Sequence, residues 1–388
     1  MKKTIGGYGE GINAEGNPSG YYLIANPITS SVTPSADNGF LVGDYDLYNW
    51  NYTQDLEWKN YKVSTFTLSS GAYGYLYANE TGTDLIYTGT ISAYTSYKYR
   101  GCSTASNPDN YDFPSWYLLG NPYLYDAYLA GASTNGNALP YIKMNVDGDG
   151  FENVAAGTPI APMEGFFYQG VSGATSAYVV TYEPTIQDEG KLNMNLRKGN
   201  KQLDNAILVF GGNQQMSKMT FRANSSKIYM PVEGKDYAIV STESNIGEMP
   251  VNFKAENNGS YTLSFNTEEV SFAYLHLIDN MTGTETDLLA TPSYSFEART
   301  TDYESRFKLV FATGNNANDD AFAFYSNGSF VINNEGNATL QVIDINGRIL
   351  KSESINGCAN VNVKAAAGVY MLRLVNGNDV KVQKVVVR

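Results

Sequence analysis

This sequence predicts an all-β chain of tandem β-sandwich or jelly-roll-like modules that closes on a small immunoglobulin-like β-sandwich. Three observations carry that prediction. Apolar and polar residues alternate over short runs, as in Tyr61-Lys62-Val63-Ser64-Thr65-Phe66-Thr67-Leu68 and Tyr261-Thr262-Leu263-Ser264-Phe265. A period of two is what a strand with one buried face requires. Turn residues punctuate the runs, as in Asn280-Met281-Thr282-Gly283 and Asn346-Gly347, which is how strands are joined into hairpins. Charged residues are only 17 % of the chain, against roughly 25 % in an average globular protein, so polarity comes from Asn, Ser, Thr and Gly. No long segment has a helical period.

A length of 388 residues predicts roughly two to four domains. The first half repeats itself. YYLIANP at 21–27 returns as WYLLGNP at 116–122, Tyr48 and Trp58 return as Tyr141 and Phe151, and GYLY at 74–77 returns as GFFY at 165–168. Three matches in one order define two copies, 1–95 and 96–186. In each, Asn-Pro ends an apolar run, where proline stops strand pairing and sets a turn. Gly74 and Gly165, just before aromatic strands, indicate a bulge or a close backbone approach.

A third unit spans 187–314, with strands expected at Leu192–Leu196, Ala206–Phe210, Tyr237–Val240, Tyr261–Phe265, Tyr274–Ile278, Tyr294–Ala298 and Phe307–Phe311. Seven such strands suit a β-sandwich. The polar run Thr313-Gly314-Asn315-Asn316-Ala317-Asn318-Asp319-Asp320 reads as a linker. The last unit, 321–388, has strands near Ala338–Asp344, Arg348–Ile355, Val369–Val375 and Val380–Val387. Its core is small enough that it should lean on a neighbour or pack closely.

Composition excludes several functions. Lys plus Arg is 26, Asp plus Glu is 39 and the net charge is −13, so no nucleic-acid or anionic-membrane partner is expected. No apolar run is long enough for a transmembrane segment. Met1-Lys2-Lys3 is a charged start, but Gly6, Gly7, Gly9, Glu10 and Gly11 occupy the place of a leader's apolar stretch. The chain therefore reads as a trimmed or partial sequence. Cys102 and Cys358 fall in different units, without CxxC or metal-ligand spacing, so no disulfide framework is expected.

The single histidine, His276, sits in Tyr274-Leu275-His276-Leu277-Ile278 and reads as a residue partnered within a sheet rather than a base. No nucleophile elbow, HExxH, P-loop or dinucleotide motif precedes a helix. An acid pair for glycoside cleavage would need a cleft that the sequence does not display. No catalytic residue and no cofactor is expected, and the chain reads as a non-enzyme.

Two binding signals remain. Asn145-Val146-Asp147-Gly148-Asp149-Gly150-Phe151 resembles the start of an EF-hand loop, but Ala156 stands where the bidentate Glu belongs and Glu152 replaces an apolar residue. It reads as an Asp-Gly turn, with a weak calcium site through Asp147 and Asp149 as the minor alternative. Tyr45, Tyr48, Trp50, Tyr52, Trp58 and Tyr61 crowd one stretch, and such rings serve either a core or a glycan- or protein-binding surface. Trp50 and Tyr52, which meet Lys143 and Asn145 in the second copy, are the better ligand-binding candidates.

LQVIDINGRIL at 340–350, GVYMLRLVNG at 368–377 and VKVQKVVVR at 380–388 resemble the C-terminal sorting domain of proteins exported by the type IX secretion system of Bacteroidetes. Asp344, Gly347, Arg348, Gly368, Val369, Tyr370, Lys381 and Lys384 carry the pattern, while the family's opening Pro-Asn-Pro reads Tyr325-Ser326-Asn327-Gly328 here. The first two units look like modules of large surface proteins from the same bacteria, with W-x-L-L-G-N-P and G-F-F strands. The third is similar to the β-sandwich that often precedes such tails. The resemblance implies a partner in the type IX machinery and an extracellular or outer-membrane-surface location.

Asp344 and Arg348 flank a hairpin turn, a place for display or simply for a solvated charge. Gly368 is expected to permit a tight entry into its strand. Lys381 and Lys384 should point to opposite faces. The expected role is adhesion to host protein, matrix or glycan; the alternatives are an accessory glycan-binding region of a larger secreted hydrolase, or a structural stalk.

Overall fold

The computed structural model describes residues 1–8, 20–52, 56–100, 113, 115–132, 136–170, 176–187, 190–221, 224–243, 246–313, 322–326, 328–334 and 336–387. Their regular elements are all strands, and none of the described residues forms a helix long and apolar enough to cross a membrane. In the first copy, β1 (Lys2–Gly6), β2 (Tyr22–Ala25), β3 (Tyr45–Trp50), β4 (Trp58–Asn60), β5 (Gly74–Asn79) and β6 (Gly82–Ile86) make the sheets β2-β5-β3-β4 and β1-β6. In the second, the strands are β7 (Ser96–Arg100), β8 (Trp116–Gly120), β9 (Tyr128–Ala130), β10 (Tyr141–Met144), β11 (Phe151–Val154), β12 (Gly165–Gln169) and β13 (Ser176–Val180). They form β8-β12-β10-β11 and β7-β13-β9. Strand for strand the four-stranded sheets are the same, so the sequence repeat is also a repeat of topology. Each copy has its own core, around Leu47, Tyr77 and Leu85 in one and Tyr141, Phe166 and Val179 in the other.

The Asn-Pro signal resolves into one device used twice. Asn26 is fully buried, and its Nδ2 donates to the carbonyls of Ser30, Leu68 and Ser69 at 2.8–3.3 Å while its Oδ1 accepts from Ile28 N. Asn121 does the same with the carbonyls of Tyr125, Ile160 and Ala161 at 2.9–3.0 Å and with Tyr123 N. Where proline stops the ladder, backbone groups would be left unpaired inside the protein. The amide supplies both donor and acceptor and closes the corner.

The copies face each other across a local pseudo-two-fold relation. Ala25 N donates to Met163 O at 3.0 Å, and the equivalent Gly120 N donates to Ala72 O at 3.3 Å. A Cβ on Gly74 would run into Leu119 O, and one on Gly165 would lie 3.0 Å from Leu23 Cβ. Both glycines therefore mark close approach, and what they approach is the other copy.

The third unit is one hydrogen-bonded arrangement of eleven strands, from Gly190–Lys198 to Phe307–Thr313. Within the strand Lys227–Val232, the first half pairs with the strand Ile246–Lys254 and the second half with Lys235–Thr242. One strand thus serves both layers, around a core that includes Leu208, Met230, Leu263 and Phe311. All seven expected strands lie within observed ones. Two of the strands the sequence did not reveal, Lys227–Val232 and Ile246–Lys254, contain Pro231 and Pro250, and proline argues against a strand until the tertiary pairing is known. The other two, Gln215–Ser217 and Thr284–Asp287, are short and polar.

The last unit packs the sheet Ala323–Ser326, Ser329–Ile332 and Ala359–Asn362 against a second sheet of four strands around Phe330, Val342 and Leu372. It leans on the third unit through Phe324 and Val331, which meet Tyr274, Ile278, Val310 and Ala312. Beyond Thr313, the linker read at 313–320 lies outside the described residues, as does Cys102.

Candidate functional site

The hairpin Asn337–Asp344/Ile349–Asn356 presents the turn Asp344–Arg348. Asp344 Oδ1 accepts from Asn346 N at 3.0 Å and Arg348 N at 2.9 Å, and Oδ2 accepts from Arg348 Nε at 3.1 Å. Gly347 has φ +81° with open space around it, a conformation glycine adopts without a Cβ penalty. Hydrogen bonds from the Arg348 and Asn346 amides, with the guanidinium beside it, hold the Asp344 carboxyl below its ordinary range. The Arg348 side chain is 75 % exposed. The motif therefore builds an ordered turn with its guanidinium in solvent.

The rest of the motif divides between core and surface. Tyr370 is buried, edge-on to Phe330, and its hydroxyl donates to Ala366 O at 2.9 Å. Lys381 and Lys384 are exposed on the last strand, opposite Leu374 and Met371 respectively. Leu374 belongs to the core whereas Met371 is exposed, so the two lysines leave from opposite faces. Gly368 departs from expectation. Its Cβ position meets nothing closer than 3.8 Å and its φ is not in the left-handed region, so no tight entry requires it. A residue the pattern did not mark does more: Gln383 accepts from Phe322 N and Ala323 N and donates to Ala323 O, tying the last strand to the first.

The ligand candidates of the first copy are half-buried at the seams between units. Trp50 donates its indole N–H to Trp116 O at 2.9 Å, and its ring sits 4.9–6.3 Å from those of Trp58, Phe113, Phe167 and Phe221. Tyr52 packs edge-on against Tyr117 at 4.7 Å. Both rings fill seams with the second copy, and the Trp50 cluster extends to Phe221 of the third unit. Their lack of an aromatic counterpart in the other copy goes with that asymmetric packing, which takes up part of each ring's surface.

The loop at 145–150 turns Asp149 inward. Asp149 lies 2.5 Å from Lys201 Nζ with its side chain almost fully buried, and it accepts from Asn145 Nδ2 at 2.8 Å. The loop backbone binds the chain at Gly20 and Tyr21. The cation that Asp149 serves is thus the Lys201 ammonium, and Asp147 stands exposed beside it. No group of three His, Cys, Asp or Glu suited to a metal occurs among the described residues. His276 is half-buried, stacked 3.9 Å from the Tyr274 ring, with Nδ1 3.0 Å from Glu285 Oε1.

The model of the family described as "Secretion system C-terminal sorting domain" matches residues 326–388. Among solved structures, one titled "Biofilm associated protein - BSP domain" aligns at 11% identity and a TM-score of 0.20. That alignment covers 70% of this chain and spans 59% of the other, a likeness too slight to carry an argument. None of the curated proteins compared matches the chain. The Asp344–Arg348 turn, the Gly-Val-Tyr strand and the lysine-bearing last strand all fall within the matched segment, so this all-β chain carries a type IX secretion system C-terminal sorting domain at residues 326–388 and is a protein marked for export to the cell surface or beyond.

Proposed function

We propose that this is a non-enzymatic adhesive protein, held at the outer-membrane surface by its sorting domain and binding a glycan or a host matrix protein through residues 1–186. The sorting domain supports surface display. The observation that carries the adhesive reading is where large apolar side chains meet solvent. The repeat exposes Leu56, Val63, Tyr94, Tyr125 and Val146, whereas the third unit exposes only Leu289 and Tyr303 of this class among the described residues. The sorting domain also exposes Ile345, Ile349, Val382 and Val386, so the contrast sets the repeat apart from the third unit alone. Single exposed apolar residues are ordinary, and contact surfaces are drawn from segments that expose several. No metal or cofactor enters this reading.

A structural stalk is the second reading, favoured by the polar locks between units. Asn153 and Asn205 exchange four hydrogen bonds of 2.8–3.0 Å across the second and third units, all buried. A screen of the full chain against a glycan array and immobilised matrix proteins separates the two. Saturable binding to any member supports adhesion, and none at micromolar protein supports the stalk.

A further inference from the structure

Within the adhesive reading, on which this inference rests, we propose that the rim where the two copies join carries a platform for a neutral, hydroxyl-rich polysaccharide, formed by Ile91, Tyr94, Leu124 and Tyr125. Tyr94 is 68 % exposed, Ile91 51 %, Tyr125 50 % and Leu124 39 %. The rings run as a connected series: Tyr94 to Tyr97 at 5.9 Å, Tyr97 to Tyr123 at 5.8 Å, and Tyr123 stacked on Tyr125 at 5.4 Å and 17°. Ile91 and Leu124 line one shallow hollow beside them. Half-buried Tyr97 and buried Tyr123 hold the outer rings in place, so little side-chain freedom remains to be lost on binding.

The first copy shows that the fold does not require this surface. The corner held by Asn121 reads Tyr123-Leu124-Tyr125, and the same corner held by Asn26 reads Ile28-Thr29-Ser30. The backbone bonds are the same, since Ser30 O and Tyr125 O occupy the same place against their asparagines. Aromatic and aliphatic side chains at the second corner therefore serve something other than closing it.

The chemistry of the occupant follows from charge and size. Burial raises the pKa of the Tyr123 hydroxyl, and the neighbouring groups that add to the effect are Tyr97, Tyr125 and Tyr182 rather than any cation or carboxylate. The Met1 ammonium in the wall of the hollow is held by Tyr87 O at 2.8 Å. Asp126 directly follows Tyr125, and the chain's net charge of −13 further opposes a sulfated or uronic-acid polymer. The four side chains expose on the order of 400 Å². A stable protein interface needs about 800 Å² per partner. A run of sugar rings fits the smaller area: its C–H faces lie on the tyrosine rings, and its hydroxyls meet the phenol groups of Tyr94 and Tyr125.

The test is affinity electrophoresis of the full chain in gels containing soluble β-glucan, xylan, mannan or dextran, with heparin as the charged control. Leu124→Thr/Tyr125→Ser installs the first copy's own corner residues, and Tyr94→Ala is the second variant. Retardation by a neutral polymer that falls at least tenfold in both variants, with unchanged melting temperature, is the expected result. Undiminished retardation in either variant overturns this platform while leaving glycan adhesion standing. Retardation by heparin alone, or by none of the polymers, also overturns the platform; the matrix-protein arm of the screen above then decides separately whether the adhesive reading survives.

Discussion

The two copies of the repeat share an interior and differ at their seams. Across one seam the charges of Lys3 on β1 and Glu164, just before β12, act on each other. The equivalent positions across the other seam are Tyr97 on β7 and Tyr73 just before β5, where Tyr73 meets Tyr99 edge-on at 5.2 Å. Burial pushes the Lys3 ammonium down and the Glu164 carboxyl up, and each is partly restored by the other's charge. One seam is charged and the other aromatic, yet the order of the four-stranded sheets and the asparagine corners are identical. What a duplication retains is the part that satisfies buried backbone; the rim is free to diverge.

The largest expected effect tests that shared interior. Asn26→Ala and Asn121→Ala each leave buried carbonyls and one buried amide without a partner, a loss of roughly 3 kcal/mol apiece. Denaturant unfolding of the full-length variants should show the two losses within about 1 kcal/mol of each other. A benign result at either corner would break the equivalence.

A smaller effect tests the inter-copy approach, where the copies are alike in kind but not in tightness. Gly74→Ala drives a methyl into Leu119 O and Leu118, whereas Gly165→Ala meets Leu23 and Ile24 at 3.0–3.1 Å. Overpacking of the first kind costs about 1–3 kcal/mol. Thermal melts should show Gly74→Ala the more destabilised; equal losses would mean that the approach is symmetric in solution.

The smallest effect extends the comparison to the sorting domain. Asp344 does at an exposed turn what Asn26 and Asn121 do inside: a side-chain oxygen organises the backbone around it. Outside, that oxygen can be a carboxylate, because water meets the charge. Its pKa is lowered in the folded state, so its contribution is present above the unfolded value of about 3.9 and is lost as pH falls through the folded value. The exchange protection of the Asn346 and Arg348 amides, measured relative to the intrinsic rate at each pH, should fall in the native chain as pH drops below the ordinary carboxyl value of about 3.9 and show no such step in Asp344→Asn. An unchanged native profile would mean that the carboxylate does not order the turn.

Much of this was legible in one dimension. Strand periodicity located all seven strands expected in the third unit, and the YYLIANP/WYLLGNP pair disclosed the duplication, because both are local patterns repeated along the chain. The sorting domain was legible because its signature is a contiguous turn and two strands. Trp50, Tyr52 and Asp149 were not, for one shared reason. A ring or a carboxylate exposed by its own module is indistinguishable in sequence from one that a second module covers. Lys201 reaches Asp149 from the third unit, and Phe167 and Phe221 reach Trp50 from the second and third.

The all-β class, the repeat and the export signature are written into neighbouring residues, since alternation, recurrence and a contiguous motif need no partner from elsewhere in the chain. Which aromatics became seams and which stayed in solvent was left to packing between modules. That outcome depends on surfaces brought together from distant segments, where burial of apolar area and pairing of buried charge act between residues far apart in the chain.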